Sequence, residues 1–257
     1  MERVIGVLCL ALATPATLSA NSDPGSSPDT GWSLRVGAGV ATSPDYVGSD
    51  EQETRGIPIV DARYGDWFFA NAGGIGVKFA PTDRLTTGVA LRYGGGRSDE
   101  GDLSPLAEVD DGVLGNTFLR YRFGVVEWGL RLSQAWSGDN DGERVRLSVA
   151  SRLPVGQPWQ WAVSAKVDWH SEDWNDTLFS LSSTQAARLG VTPFSADGGM
   201  GRAGLGTRLS YRLSTDWSLI GRLEVSRLLG DAADSPIVST LGDRNQSSAA
   251  FLAVYRF

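Results

Sequence analysis

The chain has 257 residues, two lysines against twenty-one arginines, and a formal net charge of −7. A nucleic-acid-binding protein needs a basic face, so no nucleic-acid partner is expected from this acidic balance. The hydrophobic content of 41% suits a soluble domain. It equally suits an outer-membrane β-barrel, whose strands alternate apolar and polar residues.

The N-terminus has the pattern of a secretory signal peptide. Arg3 precedes an apolar run over 4–13, and small residues lead to Ala20, after which we expect cleavage. Cys9 lies inside the signal, so the mature chain has no cysteine for disulfide or thiolate chemistry. The expected domains are a signal peptide over 1–20, a short periplasmic tail over 21–30 and a barrel over 31–257.

Segments of period-two alternation recur from residue 31 to the end, which is the pattern of half-exposed β-strands. In 126–136, for example, Trp128 and Leu130 alternate with Glu127 and Arg131. After the signal, no apolar run approaches the roughly 20 residues of a membrane-spanning helix. A membrane protein with this sequence would therefore cross the membrane as strands.

Two features favour a barrel with lipid outside over a secreted β-sandwich. Tryptophans recur on one face of a strand eight residues apart, and the predicted aromatic girdle is Trp128, Trp136, Trp161 and Trp169. That spacing is close to the roughly 9–11 residues with which a tilted strand crosses a membrane. Tight turns also alternate with longer polar loops at 94–112, 137–142, 171–201 and 230–245. We expect the short turns in the periplasm and the long loops outside the cell.

The strand count and the last segment complete the prediction of fold. Eleven strands are clear in the sequence, and the twelfth would come from 177–183 or from a break of 67–79 at Gly73-Gly74. Single-chain bacterial barrels have even strand numbers, so twelve are predicted and ten are the next candidate. The predicted barrel-closing signal is Phe251, Tyr255 and Phe257, which share one face of the last strand. The fold class is an all-β transmembrane antiparallel β-barrel, surrounded by the outer-membrane lipids of a Gram-negative cell.

Arginine is the characteristic polar residue of the face opposite the aromatic side chains. The arginines predicted to line the lumen are Arg120, Arg122, Arg131, Arg144, Arg146, Arg208, Arg212 and Arg222. One hypothesis is a pore that attracts anions. The other is a lumen filled by arginine–carboxylate pairs, with Glu127, Asp168 and Glu224 as counter-charges. The second is favoured, because buried arginine is normally paired.

His170 is the only histidine, and Asp168 with Ser164 or Ser171 could complete a hydrolase-like triad. Asp168 and His170 are two residues apart on one strand, however, and the sequence has no Gly-x-Ser-x-Gly turn. We therefore expect a lumen or rim histidine and no enzyme activity, catalytic residue or cofactor. A single histidine without cysteine also excludes an ordinary zinc site, so no metal ligand is predicted.

Three blocks resemble the MipA/OmpV family, the MltA-interacting outer-membrane proteins. They are Pro-Asp-Tyr-Val-Gly-Ser at 44–49, Asp-Ser-Pro-Ile at 234–237, and the terminal Tyr255-x-Phe257. The resemblance covers essentially the whole mature chain and implies an outer-membrane barrel. No catalytic motif comes with it.

The resemblance also implies a role and partners. The role is a scaffold for peptidoglycan-remodelling enzymes in cell-envelope maintenance, and the expected partners are a lytic transglycosylase and a peptidoglycan synthase. Two alternatives stay open. One is a small-solute channel or porin with an Arg-rich lumen, and the other is a surface adhesin or stress-response protein that acts through its extracellular loops.

Overall fold

A computed structural model describes residues 31–99, 103–106 and 108–257. The predicted signal peptide and periplasmic tail (1–20 and 21–30) lie outside the described residues. In the described part of the chain, twelve antiparallel strands form a closed barrel, in which sequence neighbours pair and the last strand pairs with the first. The strands are β1 (Trp32–Pro44), β2 (Gln52–Tyr64), β3 (Phe68–Asn71), β4 (Gly74–Thr82), β5 (Leu85–Gly94), β6 (Gly112–Phe123), β7 (Val126–Ala135), β8 (Glu143–Leu153), β9 (Trp159–His170), β10 (Gly199–Arg212), β11 (Trp217–Leu228) and β12 (Asn245–Arg256). The predicted all-β, twelve-stranded barrel is confirmed.

The twelfth strand comes from a break within the predicted segment 67–79, where the chain turns between β3 and β4. Gly74 adopts a φ of +117°, and a Cβ there would lie 2.3 Å from the carbonyl oxygen of Leu91, so only glycine fits. Of the two origins considered for this strand, the break at Gly73-Gly74 is confirmed. The origin in 177–183 is wrong, because that segment contains the end of a helix and the loop that follows it.

Burial alternates along the strands. In β7, Glu127 and Ser133 are buried, whereas Trp128, Leu130 and Leu132 are exposed. Exposed apolar side chains surround the barrel and include Val60, Ile75, Val89, Leu205, Leu223 and Val225. Such an outer band suits hydrocarbon rather than water, as in transmembrane barrels. None of the helices among the described residues is both long and apolar enough to cross a membrane.

The two ends of the barrel differ. At one end, the turn end, short turns connect β2–β3, β4–β5, β6–β7, β8–β9 and β10–β11. Gly124 has a φ of +58° in the two-residue turn between β6 and β7, a conformation that tight hairpins require and glycine adopts without strain. At the other end, the lid end, most connections are long.

The predicted loops at 171–201 and 230–245 contain helices. These are α1 (Glu172–Phe179), α2 (Ser183–Leu189), α3 (Gly230–Asp234) and α4 (Pro236–Ser239). The side chain of Ser171 accepts a hydrogen bond from the backbone of Trp174 and so caps α1. Ser182 and Gln185 form a capping box at the start of α2. Local capping chemistry therefore favours helix where the sequence analysis expected irregular loop.

The long loops pack together into a lid with its own hydrophobic core. The buried core residues of the lid are Tyr46, Leu103, Leu106, Trp174, Leu178, Phe179, Leu181, Ala186, Ala196, Ala232, Ala233, Ile237 and Val238. The Ser235 hydroxyl donates to the Phe179 carbonyl at 2.6 Å and ties the two helix-bearing loops together. Arg97 Nη1 donates to the Leu178 carbonyl at 2.5 Å and ties in the loop that follows β5. The lid is thus one packed unit over the mouth of the barrel.

Candidate functional site

Three cavities lie inside the described barrel, one after another between its two ends. The lower cavity, about 530 Å³, is at the turn end, where Pro158 and Asp216 line it. The middle cavity, about 130 Å³, shares Arg208 with the lower cavity and Glu224 with the upper one. The upper cavity, about 530 Å³, lies beneath the lid, whose Trp174 lines it. The lumen therefore contains two larger cavities with a smaller one between them.

The walls of these cavities are strongly basic. Among the described residues they carry fifteen arginines and one lysine against six carboxylates. The whole chain has a net charge of −7, so positive charge is concentrated in the lumen of an otherwise acidic protein. A confined space lined by one sign of charge focuses the field and concentrates ions of the opposite sign.

Salt bridges neutralise part of this charge. Fully buried Asp168 accepts hydrogen bonds from Arg146 at 2.6 and 2.7 Å, and another from Arg202 at 3.2 Å. Lys166 pairs with Glu224 near the boundary of the middle and upper cavities. Further pairs join Arg122 to Glu127 and both Arg35 and Arg63 to Asp61. Each carboxylate proposed from the sequence as a counter-charge therefore contacts a basic side chain.

The structure places the predicted lumen arginines at different depths. Arg120, Arg131, Arg146, Arg208 and Arg222 line the middle cavity. Arg144 lines the upper cavity, Arg212 lines the lower one, and Arg122 is held by Glu127 close to the turn between β6 and β7. In the described part of the chain no salt bridge involves Arg131, Arg144 or Arg208. Pairing with carboxylates therefore accounts for part of the basic lumen and leaves a positive surplus.

The predicted girdle tryptophans all lie exposed on the outer surface. Trp128 and Trp161 are near the turn end, and Trp136 and Trp169 are near the lid end. Additional aromatic pairs at the turn end were not singled out in the sequence. They are Trp32–Tyr64, with ring centroids 5.2 Å apart, and Trp159–Tyr211, with centroids 4.6 Å apart. The turn end therefore carries the denser aromatic surface.

The last strand pairs with both β1 and β11 and so closes the barrel. Phe251 and Phe257 are exposed on the outer surface. Tyr255 packs between Trp217 and Phe257, with ring centroids 5.2 and 4.8 Å away. The backbone N–H of Phe257 donates to the Leu34 carbonyl at 3.0 Å, so even the last residue is held by β1.

His170 is buried in the wall of the upper cavity. Its Nδ1 lies 2.9 Å from Oδ1 of Asn175. The nearby Ser171 hydroxyl accepts backbone hydrogen bonds from Glu143 and Trp174, and Asp168 is held by arginines. The residues of the possible triad thus make structural contacts.

The described residues contain no group of three or more His, Cys, Asp or Glu side chains that could hold a metal ion.

Sequence comparison assigns the chain to a family. The family profile described as "MltA-interacting protein MipA" matches residues 36–257, which is most of the chain and nearly the whole barrel. The chain belongs to the MipA family. It is an outer-membrane β-barrel, as the sequence predicted. No curated protein matches the chain significantly in sequence.

Solved structures resemble this MipA-family barrel at low identity. An outer-membrane channel of the COG4313 group from Pseudomonas putida F1 is 14% identical, with 93% of this chain and 100% of that chain covered and a TM-score of 0.45. The NanC porin is 10% identical, with 87% of this chain and 100% of that chain covered and a TM-score of 0.46. Likenesses this distant say nothing about what this barrel binds or transports.

The lid and the upper cavity of this MipA-family barrel were not predicted from the sequence. Tyr46, Arg97 and Trp174, which line the upper cavity, were not singled out as functional. The spacing Ser182-x-x-Gln185 was an available signal for a helix. The meeting of four separate loops over the lumen had no such local signal.

Proposed function

We propose that this MipA-family barrel is an anion-selective channel for small solutes. The observation that carries the proposal is the excess of positive charge in the lumen. The described cavity walls have sixteen basic side chains and six carboxylates, and three further carboxylates, Glu53, Asp61 and Asp168, pair with five of the arginines. Rings of arginine or lysine in a pore favour anions over cations. The middle cavity is the smallest of the three, and Arg131 and Arg208 are among its lining residues.

The dimensions favour small solutes. The middle cavity of about 130 Å³ is about a quarter of the volume of its neighbours. The lid packs over the upper cavity, so we expect its loops to restrict passage to the outside. We therefore expect a small conductance with closures, rather than the steady current of a wide porin.

Recording from single barrels in planar bilayers tests this function. In a gradient of potassium chloride, we expect conductance steps whose reversal potential shows chloride to be more permeant than potassium. A barrel that is folded by its heat-dependent electrophoretic mobility and yet gives no steps, or that prefers potassium, would contradict the proposal.

A second candidate function is a scaffold for a lytic transglycosylase and a peptidoglycan synthase. The family description favours it, since it names an interaction with MltA. Short turns of outer-membrane barrels face the periplasm, where these enzymes act. The turn between β8 and β9 is the longest of the turn end, and Val155 and Trp159 expose apolar surface there. A periplasmic partner would bind to this turn.

Retention of the two enzymes on the immobilised barrel tests the scaffold. We expect both to be retained at physiological salt and to be lost from a Val155→Asp, Trp159→Ser variant. A matched Thr192→Asp variant, at an exposed position of the lid, should still retain them. If neither enzyme is retained by the unaltered barrel, the scaffold function fails while the channel function stands.

A further inference from the structure

Unsatisfied polar atoms are concentrated around the upper cavity. In the described part of the chain, six buried side-chain nitrogen or oxygen atoms lack a hydrogen-bond partner. Four of them belong to residues that line this one cavity, namely Asp45 Oδ1, Arg97 Nε, Arg144 Nε and His170 Nε2. Buried polar atoms are nearly always satisfied, so a cluster of exceptions around a cavity calls for a partner inside it.

The neighbours of His170 define which of its ring nitrogens is the acceptor. Asn175 donates from Nδ2 to the carbonyl of Asp197 at 2.7 Å, which directs its Oδ1 towards His170 Nδ1 at 2.9 Å. Nδ1 therefore carries the proton, and Nε2 of the neutral ring is an acceptor without a donor among the described residues. Gly201 makes room for this ring, because a Cβ there would lie 2.2 Å from Nδ1.

Arg144 is a cation of the cavity wall for which the described residues show no carboxylate partner. It is only 7% exposed, and its guanidinium lies over the ring of Trp174, with Cζ 4.9 Å from the centroid. Arg146 and Arg202, in contrast, share the carboxylate of Asp168. A buried cation without a counter-ion is costly, and an anionic group in the cavity would compensate it. The guanidinium of Arg144 is thus available to pair with an anionic group of a ligand.

Asp45 supplies the opposite charge in the same wall. Its Oδ1 has no donor, although its backbone is fixed by hydrogen bonds to Glu51 and Ser98. Together with His170 Nε2, it requires a ligand that donates hydrogen bonds. The cavity therefore presents a basic region for an anion and an acceptor region for a cationic donor.

The remaining wall and the volume indicate the size of the ligand. Trp174, Leu178 and Phe179 of the lid provide an apolar surface. The volume of about 530 Å³ lies within the range of roughly 300–1,000 Å³ typical of small-molecule sites. Burial also lowers the pKa of Arg97 below its ordinary value, as expected for a side chain withdrawn from water.

We propose that the upper cavity is a binding site for a small zwitterion, an amino acid or short peptide. Its carboxylate faces Arg144, its ammonium group faces Asp45 and His170, and an apolar side chain packs on Trp174. The site lies on the path of the proposed channel but does not depend on conduction. Binding and conduction can therefore fail separately.

Isothermal titration calorimetry of the detergent-solubilised barrel with the dipeptide Ala-Phe tests the site. We expect binding by the free dipeptide and a loss of about ten-fold or more in affinity when either end is blocked, as N-acetyl-Ala-Phe or as the C-terminal amide. Hydrogen bonds to charged groups contribute about 1.5–3 kcal/mol, which corresponds to that loss or more. These comparisons need no variant, so they do not depend on the folding of one.

Variants assign the two ends of the ligand. Arg144→Gln should weaken the free dipeptide about ten-fold and make amidation of the carboxylate nearly irrelevant. Asp45→Asn should do the same for N-acetylation. Matched controls are Arg188→Gln and Asp50→Asn, both exposed in the lid-end loops, which should bind as the unaltered barrel does.

Three results would overturn the site. They are no heat with millimolar dipeptide, equal affinity for free and blocked forms, and equal effects of Arg144→Gln and Arg188→Gln. If the barrel conducts anions and any of these results is obtained, the binding site fails and the channel stands. If it binds the dipeptide and gives no conductance, the channel fails and the site stands.

Discussion

Asp168 on β9 and Arg146 on β8 are register partners, and two hydrogen bonds of 2.6 and 2.7 Å join them inside the barrel. Arg202 on the neighbouring β10 donates to the same carboxylate at 3.2 Å. One buried carboxylate therefore links three consecutive strands. Bidentate pairs of this kind fix geometry as well as charge. Asp168 keeps two arginines in place in a lumen that otherwise repels them from one another.

Replacing Asp168 should destabilise the barrel. Asp168→Asn retains the shape but leaves Arg146 and Arg202 without a counter-charge, and removing one partner of a buried pair costs about 3–5 kcal/mol. We expect a lower midpoint of unfolding in guanidinium chloride. Asp83→Asn, in an exposed turn, is the matched control and should unfold as the unaltered barrel does. Equal midpoints for the two variants would show that the pair contributes no stability.

Anion preference should depend on single arginines of the small middle cavity. A unit charge about 6 Å from a passing ion contributes ~0.7 kcal/mol in water, a factor of about three in occupancy. Because the same charge attracts chloride and repels potassium, Arg131→Gln should reduce the chloride-to-potassium permeability ratio about ten-fold, measured from the reversal potential. Arg188→Gln on the lid surface should leave the ratio unchanged. A ratio insensitive to Arg131 would place the selective element elsewhere.

The strands were predictable because each is defined locally by alternation. The β7 pattern, with Trp128 and Leu130 outward and Glu127 inward, is present in the sequence itself. The break that creates the twelfth strand was also indicated locally, by Gly73-Gly74. The lid was not predictable in this way, because its core brings together residues far apart in the chain, such as Tyr46 and Val238.

The same distinction applies to the candidate site. Alternation predicts that Arg144 and His170 lie on the inward face, but their relation to Asp45 and Trp174 depends on how two separate loops fold. The sequence also favoured complete pairing of the arginines, since it could not show that Asp168 is shared by two of them. The number of carboxylates was visible in the sequence, whereas their distribution among partners required the structure.

Loosening the lid should open the channel without unfolding the barrel. Phe179 is almost fully buried, and its truncation in a core costs about 3–5 kcal/mol. Phe179→Ala should therefore make the lid sensitive to trypsin at Arg188 and lengthen the open times in bilayer recordings. Electrophoretic mobility should still depend on heating, because the strands do not need the lid. Thr184→Ala, exposed on α2, is the control. Unchanged proteolysis and gating would show that the lid is not held by its core.

The terminal ring should matter for assembly more than for final stability. Phe257 is 72% exposed on the outer surface, and its ring packs edge-on against Tyr255 with centroids 4.8 Å apart. Such a pair contributes about 0.5–1.5 kcal/mol, a small part of the stability of a closed barrel. Phe257→Ala keeps the backbone hydrogen bond to Leu34, so barrels that have closed should unfold almost normally. We expect fewer barrels to close, because contact of the ring with lipid helps to hold the last strand next to β1.

The fraction of heat-modifiable protein in isolated outer membranes measures this closure, and the guanidinium midpoint of the purified folded barrel measures stability. Phe123→Ala provides the matched control, since Phe123 is similarly exposed at the turn end but belongs to an internal strand. If both variants lower the folded fraction equally, any exposed ring at this end has the same effect. We expect only Phe257→Ala to lower the folded fraction, while both midpoints stay close to that of the unaltered barrel. The terminal ring then acts during closure, because closure is the step at which β12 has to pair with β1.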